Sequence, residues 1–183
     1  MTTQTETLQT FAIDPSHSSA GFTVRHMGFS KVRGRFEQLE GSIAMDGEDL
    51  ATVEAEATIQ TQSITTNDQK RDDHLRSADF FEVEAYPTLT FKSTGVEGIQ
   101  GNRFTLVGEL TMHGVTRTVE LDAEYLGEAV DPWGGTRVAF EAATTVNRKD
   151  YGLNWNAVLE TGGLLVSDAV EITLELQAVR QEA

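Results

Sequence analysis

The strongest constraint on this chain is a strict alternation of apolar and polar residues, repeated in three separate segments. Val53, Ala55, Ala57 and Ile59 fall on one side of an extended chain, and Glu54, Glu56, Thr58 and Gln60 on the other. Val119, Leu121, Ala123 and Tyr125 alternate in the same way with Thr118, Glu120, Asp122 and Glu124. Val170, Ile172, Leu174 and Leu176 alternate with Glu171, Thr173, Glu175 and Gln177. A period of two gives each strand one dry face and one wet face. Such a sheet either packs on a second sheet or closes on itself. Small residues on the dry side fill space poorly, so a barrel lined partly by them can hold a ligand in place of a packed core.

The chain has 183 residues, enough for one domain with a sizeable core. It contains no apolar run long enough to span a bilayer. Residues 1–10 read as a frayed polar tail and 11–180 as the folded domain. The tail has neither the basic start nor the apolar stretch of a secretory leader, which predicts a cytoplasmic protein; the periplasm follows only if a leader has been removed. The absence of cysteine excludes disulfides, thiolate metal sites and a cysteine nucleophile. The net charge of −15 repels nucleic acid and anionic lipid at long range, so nucleic acid is not an expected partner. The acids concentrate on the wet strand faces, which reads either as a solvated surface or as adaptation to high salt.

Strand-like segments cover Phe11–Asp14, Phe22–His26, Val32–Met45 (bent, with Gly34 and Gly41 as bulge or corner sites) and Val53–Ile59. The pattern then changes. Thr66 followed by Gln69 has the spacing of a capping box, predicting a short helix over Asp68–Ser77 that continues loosely to Phe81. Strands resume after Pro87 and run to Val179, with loops at 131–135 and over much of 147–163. The result is eight or nine antiparallel strands with one helical insertion around 67–80.

Candidate catalytic groups are sparse. No two of His17, His26, His74 and His113 have the spacing of zinc ligands on a helix. Arg71-Asp72-Asp73-His74 reads as a charged outer helix face with Leu75 inward, or with Arg71 or His74 closing a cavity mouth over a head group. Ser16-His17-Ser18-Ser19 lacks a nucleophile elbow, and no phosphate-binding glycine loop is present. Trp133 and Trp155 lie in loops, each able to rim a pocket or plug one.

Six blocks, taken in order, resemble the YceI-like family of bacterial proteins. They are Ile13-Asp14 with Phe22-Thr23-Val24-Arg25-His26-Met27-Gly28-Phe29; Arg71-Asp72-Asp73-His74-Leu75 with Phe80-Phe81; Tyr86-Pro87-Thr88-Leu89-Thr90-Phe91; Gly108-Glu109-Leu110-Thr111-Met112-His113-Gly114; Asn147-Arg148-Lys149-Asp150-Tyr151-Gly152; and Val166-Ser167-Asp168-Ala169. The resemblance spans nearly the whole chain. It implies an all-β fold, a single eight-stranded antiparallel lipocalin-like barrel with an apolar pore. It also implies non-catalytic binding of a long isoprenoid-type lipid such as a polyprenyl or quinone tail, sometimes a homodimer, and no cofactor.

Strand parity then assigns an inward lining of Phe22, Val24, Phe36, Ala55, Ala57, Phe91, Leu110, Ala123, Phe140 and Ala142. His26, Arg71, His74, Arg148 and Trp155 are the candidates for the mouth and for contact with a head group. Two other readings stay open: a scaffold or stress-related barrel with a filled core, and an enzyme using histidine and acidic residues at the mouth.

Overall fold

The structure, a computed structural model, describes residues 7–182. Eleven strand segments are present: β1 (Gln9–Ile13), β2 (Ser19–His26), β3 (Ser30–Phe36), β4 (Leu39–Asp46), β5 (Asp49–Gln60), β6 (Ile64–Thr65), β7 (Thr88–Gln100), β8 (Arg103–Met112), β9 (Val115–Val130), β10 (Thr136–Asn147) and β11 (Ala169–Arg180). One helix, α1 (Gln69–Arg76), lies in the excursion between β6 and β7. β1 begins inside the stretch read as tail, and Met1–Glu6 lie outside the described residues. Among the described residues no helix is long and apolar enough to cross a membrane.

The sheet runs β1-β4-β5-β7-β8-β9-β10-β11 and closes through β1–β11, an eight-stranded antiparallel barrel. Two of its walls bend. β1 and β2 lie in succession along β11, pairing with residues 178–180 and 171–175, and β3 and β4 pair with them in turn. The bend at Asp14 is held by charge. Its carboxylate accepts from Arg137 Nη1 at 2.7 Å, His17 Nδ1 at 2.9 Å and the Ser16 amide. Arg137 foremost, then His17, holds the Asp14 carboxyl down at about 2.

Two glycines act by close approach. Gly34 is not a bulge: it sits in an unbroken ladder opposite Phe22, where a Cβ would collide with the Phe22 ring. Gly41 also stays in register, opposite Ala57, and a Cβ there would strike the β5 backbone. The bulge that matters is elsewhere. Phe140 pairs with Tyr125 and Ala139 with Gly127, so Leu126 is extruded and both aromatic rings keep facing inward.

The helix differs from the expectation at its start. Asp68, not Thr66, is the N-cap, accepting from the Arg71 amide at 3.0 Å. Thr66 is committed to Asp72, whose Oδ1 accepts from the Thr66 amide at 2.8 Å and its hydroxyl at 2.6 Å. Asp72 is therefore buried, and the helix does not present an entirely solvated charged face. Past Ser77 the chain makes a chain of turns instead of a loose helix, with Phe80 N bonded to Ser77 O and Val83 N to Arg76 O.

Candidate functional site

The turns joining β4–β5, β7–β8 and β9–β10 gather at one end of the barrel. There Phe11, Met45, Leu50, Tyr125, Val138 and Ala178 are buried and form a solid floor. The opposite end carries the β2–β3 turn, α1, the β8–β9 turn and the long β10–β11 connection. Between them lies a cavity of about 390 Å³, within the range of small-molecule sites. The middle of the barrel is thus not filled by its own side chains.

The cavity wall follows strand parity. Phe22 and Val24 from β2, Phe36 from β3, Ala55 and Ala57 from β5, Phe91 from β7 and Leu110 from β8 all line it, as do Ala123 from β9 and Phe140 and Ala142 from β10. Parity on β11 adds Val170, Ile172, Leu174 and Leu176, and the helical excursion adds Leu75, Phe80 and Phe81. Phe80 and Phe81 carry no periodic signal, so only the tertiary structure places them. Below the mouth, Thr144 and Glu56 are the polar exceptions. Space under the mouth comes from small residues: Ala142 lies directly opposite Ala123, whose partner on the other side is Phe104, and the Phe104 ring meets Phe140 edge-on at 6.2 Å. Alongside, β5 and β7 pair only over Glu56–Gln60 and Thr88–Lys92. Where they part, the Ala55 amide donates to Ser93 Oγ at 2.8 Å, pinning the two walls together.

His26, Arg71, His74, Arg148 and Trp155 all meet at the rim, but with different roles. Arg148 is 3% exposed. Its Nε donates to Ser167 O at 2.9 Å, and Nη1 donates to Leu153 O at 2.6 Å and Trp155 O at 2.8 Å. Nη2 donates to Val166 O at 3.4 Å. Burial pushes its pKa below the usual arginine value, while nearby Asp168 pulls the other way. The guanidinium thus ties the two arms of the β10–β11 connection together and has little left to offer a ligand. His74 Nε2 meets Asp79 Oδ2 at 2.8 Å. Its ring packs edge-on against Trp155 at 4.7 Å and Phe80 at 5.1 Å, forming an aromatic flap over one side of the opening. Trp133 is 87% exposed at the floor end and takes no part in the mouth.

The groups left with spare polar capacity are His26 and Arg71. No side-chain hydrogen bond engages the His26 imidazole among the described residues, although its backbone bridges to Val166. Arg71 uses Nε on Thr66 Oγ1 at 2.7 Å and Nη2 on Thr66 O at 3.0 Å, leaving Nη1 uncommitted. His113, considered for an enzymatic role, sits in the β8–β9 turn at the same end but outside the cavity lining, bonded to Tyr151 O at 3.0 Å and 3.8 Å from Glu82.

The model of the YceI-like domain matches residues 11–178. The chain belongs to the YceI-like family. It is 38% identical over 165 residues to a UPF0312 protein of Pseudomonas aeruginosa, covering 90% of this chain and 83% of that one. Among solved structures it is similar to a YCEI protein of Campylobacter jejuni, with TM-score 0.74 and 28% identity over 86% of this chain and 90% of that one. Its fold also matches a polyisoprenoid binding domain from Saccharophagus degradans, with TM-score 0.69 and 19% identity over 93% of this chain and 98% of that one. The Campylobacter jejuni protein thus shares this fold.

Proposed function

We propose that this YceI-like protein binds and carries a long isoprenoid-type lipid, tail inward and polar end at the mouth, without chemical change to it. One observation carries the reading: an apolar tunnel with a solid floor, open at a rim where exposed Arg71 and half-buried His26 stand. A blind apolar tube accepts a hydrocarbon chain by one end and leaves the other in water. The fold-mate named as a polyisoprenoid binding domain supports the same chemistry.

Burial of each methylene-sized group contributes about 0.8 kcal/mol, so some twenty carbons contribute on the order of 15 kcal/mol gross. Lost motion and ordering offset much of that, leaving micromolar or tighter binding. A quinone ring or a free prenyl alcohol fits the rim best. The His26 imidazole and Arg71 Nη1 supply hydrogen bonds to such a neutral oxygen, whereas a pyrophosphate needs more donors than the one nitrogen Arg71 leaves uncommitted.

The test is organic extraction of the freshly purified protein followed by lipid mass spectrometry, with native mass spectrometry on the intact protein. A co-purified isoprenoid adduct is expected. A clean apo mass together with no uptake of an added prenyl quinone would end the carrier reading.

A further inference from the structure

The rim outside the cavity carries features that holding a lipid tail does not require. The turn at the β2–β3 tip has positive φ at both central residues, Met27 (55°) and Gly28 (72°). Asparagine, aspartate or glycine normally takes the first of these positions, because a side chain there is strained. Here it is methionine, 41% exposed, and the next residue but one, Phe29, is 84% exposed.

This tip is hydrogen-bonded to the β10–β11 connection. The Met27 amide donates to Leu165 O at 2.8 Å, His26 bridges to Val166, and Val158 bridges to Leu164. Val158 is 81% and Leu164 42% exposed. Scattered apolar residues on a surface need no explanation. Four on two segments bonded to each other, beside the opening of an apolar tunnel, are more than scatter.

The charge beside the patch has the opposite sign to the molecule. Arg25, Lys31 and Arg33 share the outer face of β2–β3, and Arg25 stands directly opposite Lys31. Like charges placed this way destabilise a sheet. None of the three forms an ion pair or a side-chain hydrogen bond among the described residues, and Glu171, opposite Thr23 on the neighbouring strand, does not reach them. Glu160 is the acid on the second apolar segment.

We propose that the β2–β3 tip and the 157–165 segment dock the barrel mouth onto an anionic lipid bilayer. The apolar side chains enter the interface while Arg25, Lys31 and Arg33 meet the head groups. Docking this end against a membrane lets a tail slide between bilayer and tunnel without crossing water, so the proposal rests on the carrier reading for its purpose. The bulk charge of −15 does not prevent it. Interactions between exposed charges fall off over about 8 Å at physiological salt, and the barrel is much longer than that, since the sixteen residues of β9 extend over roughly 50 Å of chain.

The test is flotation of the full-length protein with phosphatidylcholine vesicles, with and without phosphatidylglycerol. Flotation that depends on phosphatidylglycerol and fades with added salt is expected. Lys31→Gln with Arg33→Gln weakens it about fivefold per charge removed, Met27→Ser with Phe29→Ser abolishes it, and Glu160→Lys strengthens it. None of the five residues lines the cavity, so each variant's uptake of prenyl quinone from vesicle-free solution reports separately on folding and on the carrier reading. Equal flotation on both vesicle types, or wild-type flotation by the charge variant, overturns docking. So does the absence of flotation by the wild type; a shift from dimer to monomer in Met27→Ser/Phe29→Ser then assigns the patch to a second copy of the chain. Failed quinone uptake with intact flotation overturns the carrier reading alone.

Discussion

Replacing Ala142 by leucine reads the hollow directly, because its effect on stability changes sign with what occupies the middle of the barrel. Ala142 projects into the cavity between Ala123 on β9 and Leu174 on β11. Leucine adds three carbon groups. Each contributes about 0.8 kcal/mol on leaving water, and fixing the longer side chain costs roughly 0.5–1 kcal/mol. The net is about 1.5 kcal/mol of stabilisation, a rise in Tm of roughly 3–6 °C for a chain of this length. In a packed core the same change overfills the site and costs about 1–3 kcal/mol, so Tm falls. Thermal unfolding is followed on delipidated protein, since a lipid that binds only the folded state stabilises it by an amount that grows with the logarithm of its free concentration over Kd. Ala143→Leu, on the exposed face of the same strand, controls for the strand preference of leucine. A bulkier Ala142→Phe places a ring over Ala123 and is expected to block quinone uptake without unfolding the protein. A lower Tm for Ala142→Leu than for Ala143→Leu would refute the open tunnel and the carrier reading with it.

Three further outcomes follow from the contacts. Arg148→Met removes the donor from four carbonyls and is expected to cost about 2–4 kcal/mol; hydrogen exchange should speed up across 153–167 and stay slow in β8 and β9, and uniform acceleration would contradict the local role. Asp14 has a folded pKa of about 2, below the ordinary 3.8, so its stabilisation is complete above about pH 4 and disappears as pH falls through 2. Asp14→Asn should therefore cost about 1 kcal/mol at neutral pH after solvent screening, with a deficit that closes between pH 4 and pH 2 in acid titrations of unfolding; a deficit independent of pH counts against this. Glu124, Glu141 and Glu175 stand abreast on the outer face of β9, β10 and β11. Glu141→Lys is expected to raise stability by up to about 1 kcal/mol in dilute buffer and by nothing measurable in molar KCl, where the wild-type Tm itself rises; a benefit unchanged by salt would exclude charge repulsion as its cause.

What the sequence made legible was whatever depends on neighbours along the chain. Parity is local, so Ala55, Ala57, Ala123 and Ala142 could be put on the inner wall before any tertiary contact was known. Even the β9–β10 bulge did no harm, because extruding Leu126 lets Tyr125 and Phe140 stay in phase. Features that depend on distant partners were hidden. Arg148 reads as a free cation at the mouth, yet its partners are carbonyls of Leu153, Trp155, Val166 and Ser167, and a carbonyl leaves no mark on composition. Thr66 fits a capping box, but Asp72 competes for its hydroxyl and Asp68 takes over the cap. Met27 and Phe29 are far in sequence from Val158 and Leu164, and the two segments meet only through the backbone pairing of Arg25–Met27 with Leu165–Ser167.

The same division explains why the two ends of the molecule differ. Floor and walls are built from continuous ladders and buried side chains, so opening them would break many backbone hydrogen bonds at once. The rim is assembled from a few local contacts: one buried arginine, a short run of backbone pairing between Arg25–Met27 and Leu165–Ser167, and the packing of His74, Phe80 and Trp155. In the carrier reading, a lipid leaving a tunnel closed at its base must pass that rim. Its affinity is set by the length of chain buried along rigid walls, while its rate of exchange is set by how readily the rim yields. On the proposed docking, a bilayer pressed against the exposed residues of the tip and its bonded segment would act on the yielding end alone, changing the rate of transfer while leaving the tunnel's grip intact.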